Sequence, residues 1–308
     1  MFRIPDAVQP PAAVDNFNRT DLQAAGLLND GNYCSLISLI ISLHRMMIKT
    51  KMNLAWNQNI IRNPVTPLGF LAKILSVMPS QQPFSLQNFV SCWNDFGIEP
   101  PILQNDDISS LADGIIKDIP LKRLPANSPP VFTQYLARLD CQCGHSELMK
   151  MWDGQSFTLV PTIAIPRLDS RCNIEDLLQQ FLTETFNVRC PNCNNLSHDH
   201  MYEVVKGQFT VLTINRRPDY NDSDHTKIMT KLDVTPDSAN PVCLTENLIC
   251  AVNHIGGIGG GHWISYSRCD SNNVWYLNDD SKPVSVSCHP FLASNQTVNY
   301  VVYLNKNF

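Results

Sequence analysis

The chain has 308 residues, 44% of them hydrophobic, and a net charge of −5 at pH 7, enough apolar material for a sizeable core in one or two domains. No basic cluster stands beyond Arg216-Arg217, so the electrostatic footprint of a nucleic-acid binder is missing, and the longest apolar stretch, Leu36 to Leu43, is too short and too serine-interrupted to span a bilayer. Eleven cysteines, an odd number and mostly unpaired in spacing, follow no secretory leader, so a reducing compartment, cytoplasm or nucleus, is expected.

In chain order, residues 1–19 carry Pro5, Pro10 and Pro11 without periodicity and are expected to be a mobile tail. Asn29-Asp-Gly31-Asn32-Tyr33-Cys34 favours a turn, because Gly and Asn tolerate positive φ and Asn bonds to nearby backbone. The following run to Ile48 has the length and apolar content of a buried helix, broken by Ser35, Ser38, Ser42 and His44. A thiol in the first turn of such a helix faces unpaired N–H groups and the positive end of the helix dipole, both of which favour thiolate.

Mid-chain, Cys141-Gln-Cys143-Gly-His145 precedes Cys190-Pro-Asn-Cys193. Two cysteine pairs read as a structural zinc site, since four thiolates close a tetrahedral shell. The first pair is tighter than the usual C-x2-C, and a site that has lost its metal is the alternative. His145, His198 and His200 read as solvated loop residues rather than ligands. Between the pairs, Cys172–Phe181 predicts a helix with Asn173 as its cap and acidic residues in its first turn. Phe209–Asn215 is rich in β-branched residues and predicts a strand.

Toward the end, Asn253–Gly261 is glycine-rich and is expected to be a loop able to close over a substrate. Gly261-His262-Trp-Ile-Ser-Tyr266 follows, then Trp275-Tyr-Leu-Asn278-Asp279-Asp280. Val274–Leu277, Pro283–Ser287 and Val298–Leu304 predict strands of one antiparallel sheet. Together these segments supply a cysteine nucleophile, a histidine base, a carboxylate to orient it and an asparagine amide for an oxyanion.

Gly26-Leu27-x-Asn29-x-Gly31-Asn32-x-Cys34 resembles the Cys box of the ubiquitin-specific proteases, G-L-x-N-x-G-N-T-C, with Tyr33 in place of Thr. Gly256–Tyr266 resembles that family's His box, a glycine-rich loop followed by G-H-Y-x-x-Y, with Trp263 in place of Tyr. Trp275–Asp280 resembles its W-x-x-x-[DN]-D element. Weaker likenesses join the ordered boxes: Gln104–Leu111 to the family's Q-Q-D-A-x-E-F-L helix, and 209–217 to its L-x-x-x-L-K-R-F strand.

The resemblance implies an α+β fold with a papain-like thiol-protease core: a helical thumb at 20–128, zinc-ribbon fingers at 129–205 and a β palm at 206–308. It implies Cys34 as nucleophile, His262 as base, Asn29 as oxyanion donor, Asp279 as the orienting carboxylate and Asp280 as a second acid. A register slipped by one would put Asn278 in place of Asp279. A structural zinc on Cys141, Cys143, Cys190 and Cys193 is implied, with no catalytic part. The expected activity is hydrolysis after the C-terminal glycine of ubiquitin by a monomer. A protease for another modifier such as SUMO, or a non-catalytic ubiquitin-binding module, is the alternative.

Overall fold

A computed structural model describes residues 27–29, 33–50, 84–86, 108, 112, 116, 130–149, 157–167, 172–183, 188–197, 200–217, 227–233, 248–257, 260–269, 274–280, 285–287, 289–292 and 296–305. The expected tail at 1–19 lies outside these residues, as does most of Gln104–Leu111, of which Ile108 is helical and buried.

The first elements are β1 (Leu27–Leu28), helix α1 (Cys34–Thr50) and β2 (Phe84–Ser85), which pairs in parallel with β1. Next come β3 (Gln134–Asp140), β4 (Ser146–Leu148), β5 (Phe157–Thr158), β6 (Thr162–Ala164) and β7 (Cys172–Asn173). Helix α2 (Ile174–Thr183) leads into β8 (Val188–Arg189), β9 (Leu196–Ser197), β10 (His200–Val205) and β11 (Phe209–Asn215). The remaining strands are β12 (Leu232–Asp233), β13 (Leu248–Gly257), β14 (Gly260–Arg268), β15 (Trp275–Asn278), β16 (Ser285–Ser287) and β17 (Thr297–Leu304).

The centre is a seven-stranded sheet in the order β16-β15-β14-β13-β17-β11-β6. Its middle strands are apolar on both faces because both faces are covered. Along β17, Tyr300 and Val302 enter the core cluster that contains α1, whereas Val301 and Tyr303 enter the cluster that contains α2. Leu36, Ile37, Leu39, Ile40 and Leu43 of α1 pack on one face with Val211, Ile249, Cys250 and Val252. Ile174, Leu177 and Leu178 of α2 pack on the other with Leu212, Ala251, Ile264 and Tyr266.

The serines of α1 are buried, and the helix tolerates them by local bonding. Ser42 Oγ donates to the Ser38 carbonyl at 3.1 Å and lies 3.0 Å from Cys250 Sγ of β13. Arg45, also buried, donates to the Arg268 carbonyl at the end of β14. Helix α1 is therefore pinned to β13 and to β14, the strand that carries His262.

A second sheet, β10-β3-β4 with β5 on β3, carries the turn of Cys141 and Cys143, while the two-stranded β8-β9 carries that of Cys190 and Cys193. Phe181 of α2 stacks on Tyr202 of β10 and meets Tyr135 of β3 edge-on, joining this sheet to the helix. Within the span 129–205, β6 runs parallel to β11 at the margin of the seven-stranded sheet and α2 packs on that sheet's face. The glycine-rich Asn253–Gly261 also departs from expectation. Residues 253–257 and 260–261 are not loop but paired strand, in register Ile255↔His262 and Gly256↔Gly261. Here glycine serves close approach between chains rather than looseness.

Candidate active site

The site forms where the first turn of α1 meets the ends of β14 and β15. Cys34 opens α1 and is 6% exposed, with only an edge of its surface at solvent. The turn ahead of it is closed by Asn29, whose Oδ1 accepts the Tyr33 N–H at 2.6 Å. The Tyr33 carbonyl in turn accepts the Ile37 N–H at 2.8 Å, the first bond of the helix. The expected helix begins at Cys34, while residues 30–32 of the expected turn lie outside the described residues.

His262 lies on β14, and its Nε2 is 2.7 Å from Asp279 Oδ1, one residue past the end of β15. With Nε2 engaged by Asp279, Nδ1 is the ring nitrogen left to serve a thiol. The register follows from strand pairing: Asn278 is buried opposite Ser265, and Asp279, the next residue, turns its carboxylate onto the ring. His262 is pushed up to about 9, first by its hydrogen bond with Cys34, then by that from Asp279 and by the charges of Asp280 and Asp279, against the opposing effect of burial.

Asp280 adopts a left-handed backbone, φ 50°, which a short polar side chain tolerates. This twist aims its carboxylate at Asn29: Asn29 Nδ2 donates to Asp280 Oδ2 at 2.8 Å. Asp280 Oδ2 also lies 3.9 Å from His262 Nε2. Asn29 is thus held at both ends of its amide, with one of its two N–H protons committed to Asp280. All five residues singled out for chemistry, Cys34, His262, Asp279, Asn29 and Asp280, meet in one place. A thiol, an imidazole and a carboxylate in series, beside a fixed amide donor, are the parts of nucleophilic acyl transfer.

Two residues beside the site had no sequence signal of their own. His254, on β13, faces Trp263 across the hairpin, and Lys227 reaches it from the segment after β11. His254 lies in the same glycine-rich segment as His262 and only that proximity hinted at it.

The four predicted metal cysteines also converge. Cys141 and Cys143 occupy the turn between β3 and β4; Cys190 and Cys193 occupy the turn between β8 and β9. The two turns close alike. Gly144 N–H donates to the Cys141 carbonyl and Asn194 N–H to the Cys190 carbonyl, each at 2.8 Å, with φ of 84° and 60°. Left-handed Gly144 is what lets the shorter C-x-C turn curl as tightly as its partner.

All four Sγ atoms lie within 4.8 Å of one another, with Cys141 to Cys193 at 3.6 Å and Cys143 to Cys190 at 3.8 Å. Four sulfurs about 2.3 Å from a tetrahedral zinc stand about 3.8 Å apart, so the residues fit that metal. Cys143 is pulled down to about 6, first by a backbone hydrogen bond at His145 and then by the Cys141 thiol. His145 stands aside, 3.5 Å from Glu147.

No family model matches the chain. Short stretches resemble two curated proteins: ubiquitin carboxyl-terminal hydrolase 15 of Rattus norvegicus, 44% identical over 41 residues, and ubiquitin carboxyl-terminal hydrolase 12 of Saccharomyces cerevisiae, 29% identical over 68 residues. These stretches cover 13% and 22% of this chain but only 4% and 5% of those proteins.

The fold likeness is far more extensive. The SAGA Ubp8/Sgf11/Sus1/Sgf73 DUB module bound to ubiquitin aldehyde contains a chain that superposes with a TM-score of 0.61 at 17% identity, over 93% of this chain and 70% of that one. The same module bound to monoubiquitin, with a cysteine-to-alanine substitution in Ubp8, gives a TM-score of 0.61 at 17% identity over 98% and 72%. The resemblance read from the Cys34 and His262 segments extends to the architecture, an α+β fold of the ubiquitin-specific protease type.

Proposed function

We propose that the chain is a thiol-dependent deubiquitinase that hydrolyses the isopeptide or peptide bond after the C-terminal glycine of ubiquitin. One observation carries this reading: His262 hydrogen-bonds Asp279 at 2.7 Å and Asp280 holds Asn29 at 2.8 Å, around a ring whose charged form the Cys34 thiol favours most. The fold shared with a module whose structures contain ubiquitin supports ubiquitin as the substrate class.

The chemistry proceeds from these positions. With the thiol proton held on His262, the Cys34 thiolate adds to the carbonyl carbon of the terminal glycine. The carbonyl oxygen gains the negative charge and accepts hydrogen bonds from the second Asn29 Nδ2 proton and the Cys34 backbone N–H. The C–N bond then breaks, and the departing amine takes the proton from His262, leaving a thioester on Cys34. Water adds to the thioester, His262 accepts its proton, and the C–S bond breaks to free the carboxylate and restore the thiol. Asp279 keeps the ring oriented and stabilises imidazolium through both proton transfers.

Cys141, Cys143, Cys190 and Cys193 would hold a zinc ion that ties the two turns of the fingers together. Four thiolates leave no open position, so the ion would stabilise fold rather than activate water.

The test is covalent labelling by ubiquitin with a C-terminal electrophile, beside an equivalent SUMO reagent. Cys34 of the wild type reacts with the ubiquitin probe and the Cys34→Ala variant does not. Labelling by the SUMO reagent instead would reassign the modifier, and labelling by neither would remove catalysis from the reading.

A further inference from the structure

Under the strand that carries His262 sits a pair of side chains that the reaction scheme does not use. The Lys227 ammonium lies 2.7 Å from His254 Nδ1, 3.2 Å from the His254 carbonyl and 3.3 Å from the Gly256 carbonyl. An ammonium has three protons and no acceptor, so each proton has a place here. Burial first, then the charge of Arg216, brings Lys227 down to about 8, so near neutral pH it is still a cation that can only donate; His254 Nδ1 accepts, and the ring carries its own proton on Nε2.

That ring is buried, and it packs against Trp263 with 4.5 Å between centroids. Its Nε2 lies 2.5 Å from where a Cβ on residue 261 would stand, and the Ile255 carbonyl lies 2.1 Å from the same point. Gly261, the residue immediately before His262, therefore rests directly on the imidazole. We propose that Lys227 and His254 form a positioning unit for the base: the ammonium fixes the His254 ring as the neutral Nε2–H tautomer, and the ring seats the Gly261 backbone that sets His262 against Cys34.

Electrostatics agrees with the geometry. Burial first, then the charges of Lys227 and His262, push His254 down to about 4, so it remains neutral while His262 is charged. A cationic ring in that place would repel the imidazolium of His262. Lys227 supports the hairpin without adding charge to the ring it holds.

The inference rests on the thiol chemistry proposed above, and its test separates the two. Turnover of ubiquitin carrying a C-terminal fluorogenic amide is measured for the full wild-type chain, Lys227→Met and Lys227→Arg. A misplaced base lowers kcat: Lys227→Met is expected to lose ~10-fold in kcat with KM within ~2-fold. Lys227→Arg keeps the cation and recovers most of the loss. Wild-type turnover in Lys227→Met, or a loss confined to KM, overturns the positioning role and leaves the protease reading intact.

Alkylation of Cys34 by iodoacetamide, followed at its own peptide by mass spectrometry, needs no modifier. A wild type with neither turnover nor fast alkylation at Cys34 overturns the thiol chemistry itself. The wild type also tests the unit without any variant, since ring 15N NMR spectra report tautomers. They should show His254 neutral and protonated at Nε2 at neutral pH; a His254 protonated at Nδ1 overturns the inference even if the variants do not fold.

Discussion

Changing Asp279 to asparagine would leave an amide oxygen near His262 Nε2 and take away the charge that stands 2.7 Å from it. With charge centres ~4 Å apart, the attraction lost lies between ~4 kcal/mol at an effective dielectric constant of ~20 and ~1 kcal/mol in bulk water. The His262 side chain is 33% exposed and that of Asp279 20%, so screening places the pair toward the weaker end. A loss of ~1–2 kcal/mol corresponds to about one pK unit. His262 sits at about 9, held there by Cys34 first and then by Asp279 and Asp280, so the variant ring should titrate lower by about one unit.

The sign follows from the raised value. The charged His262 ring persists up to the folded-state pKa and disappears above it, so the alkaline limb of kcat/KM reports loss of the His262 proton. In Asp279→Asn that limb moves to lower pH by about one unit, while Asp279→Ala, which also frees the ring to rotate, loses kcat as well. The profile is measured from about pH 6 to about pH 10 with the fluorogenic ubiquitin amide. A limb that stays put in Asp279→Asn would contradict the argument. So would an Asn278→Ala variant that proved the more damaging of the two positions.

Asn29→Ala removes a donor aimed at the oxyanion and should lower kcat by ~10²–10³-fold, worth ~2.7–4 kcal/mol. Asp280→Ala should act in the same direction but less, because it releases Asn29 Nδ2 from a 2.8 Å bond without deleting the donor; a larger loss in Asp280→Ala would show that the acid serves His262 instead. Elemental analysis should find about one zinc per chain, absent in Cys190→Ser/Cys193→Ser together with a lower melting temperature and unchanged alkylation at Cys34, and metal-free protein after gentle purification would retire the site. Asn173 Oδ1 accepts the Glu175 N–H at 2.8 Å, so Asn173→Ala should cost about 1 kcal/mol in denaturant unfolding and leave turnover untouched.

What could be read ahead of the structure was local. The helix at Cys34, the Asn173 cap and the strand at Phe209–Asn215 each follow from turn chemistry, capping or β-branched content within about ten residues. The meeting of Cys34 and His262 was legible because both sit in short motifs of recognisable order. Other features depend on pairing between distant strands, which single-residue patterns do not encode.

Thr162–Ala164 is only three residues long, and nothing local says that it runs parallel to β11 rather than among the fingers. Arg216 reads in sequence as half of a basic doublet. In the fold it is buried, donating to the carbonyls of Val298, Ile228 and Thr230, and burial brings it down to about 10. The glycines of 256–261 resemble loop composition, yet Gly256 and Gly261 lie where two strands, and at Gly261 an imidazole, come too close together for side chains. Lys227 and His254 stand 27 residues apart, and their meeting exists only once β13 is in place.

Strand β17 lies in the middle of the large sheet although it comes last among the described elements, with β13 on one side and β11 on the other. Strands β13 to β16 carry His262 and Asp279, while β11 and β6 lie beyond β17. Within the sheet, the two groups are joined by that single strand. Its partners are drawn from far back along the chain, so ring closure is costly and comes late, as in other sheets dominated by distant pairings. During synthesis the thiol helix leaves the ribosome before the hairpin that bears the imidazole, so a nascent chain passes through a stage in which the cysteine nucleophile has no partnered base.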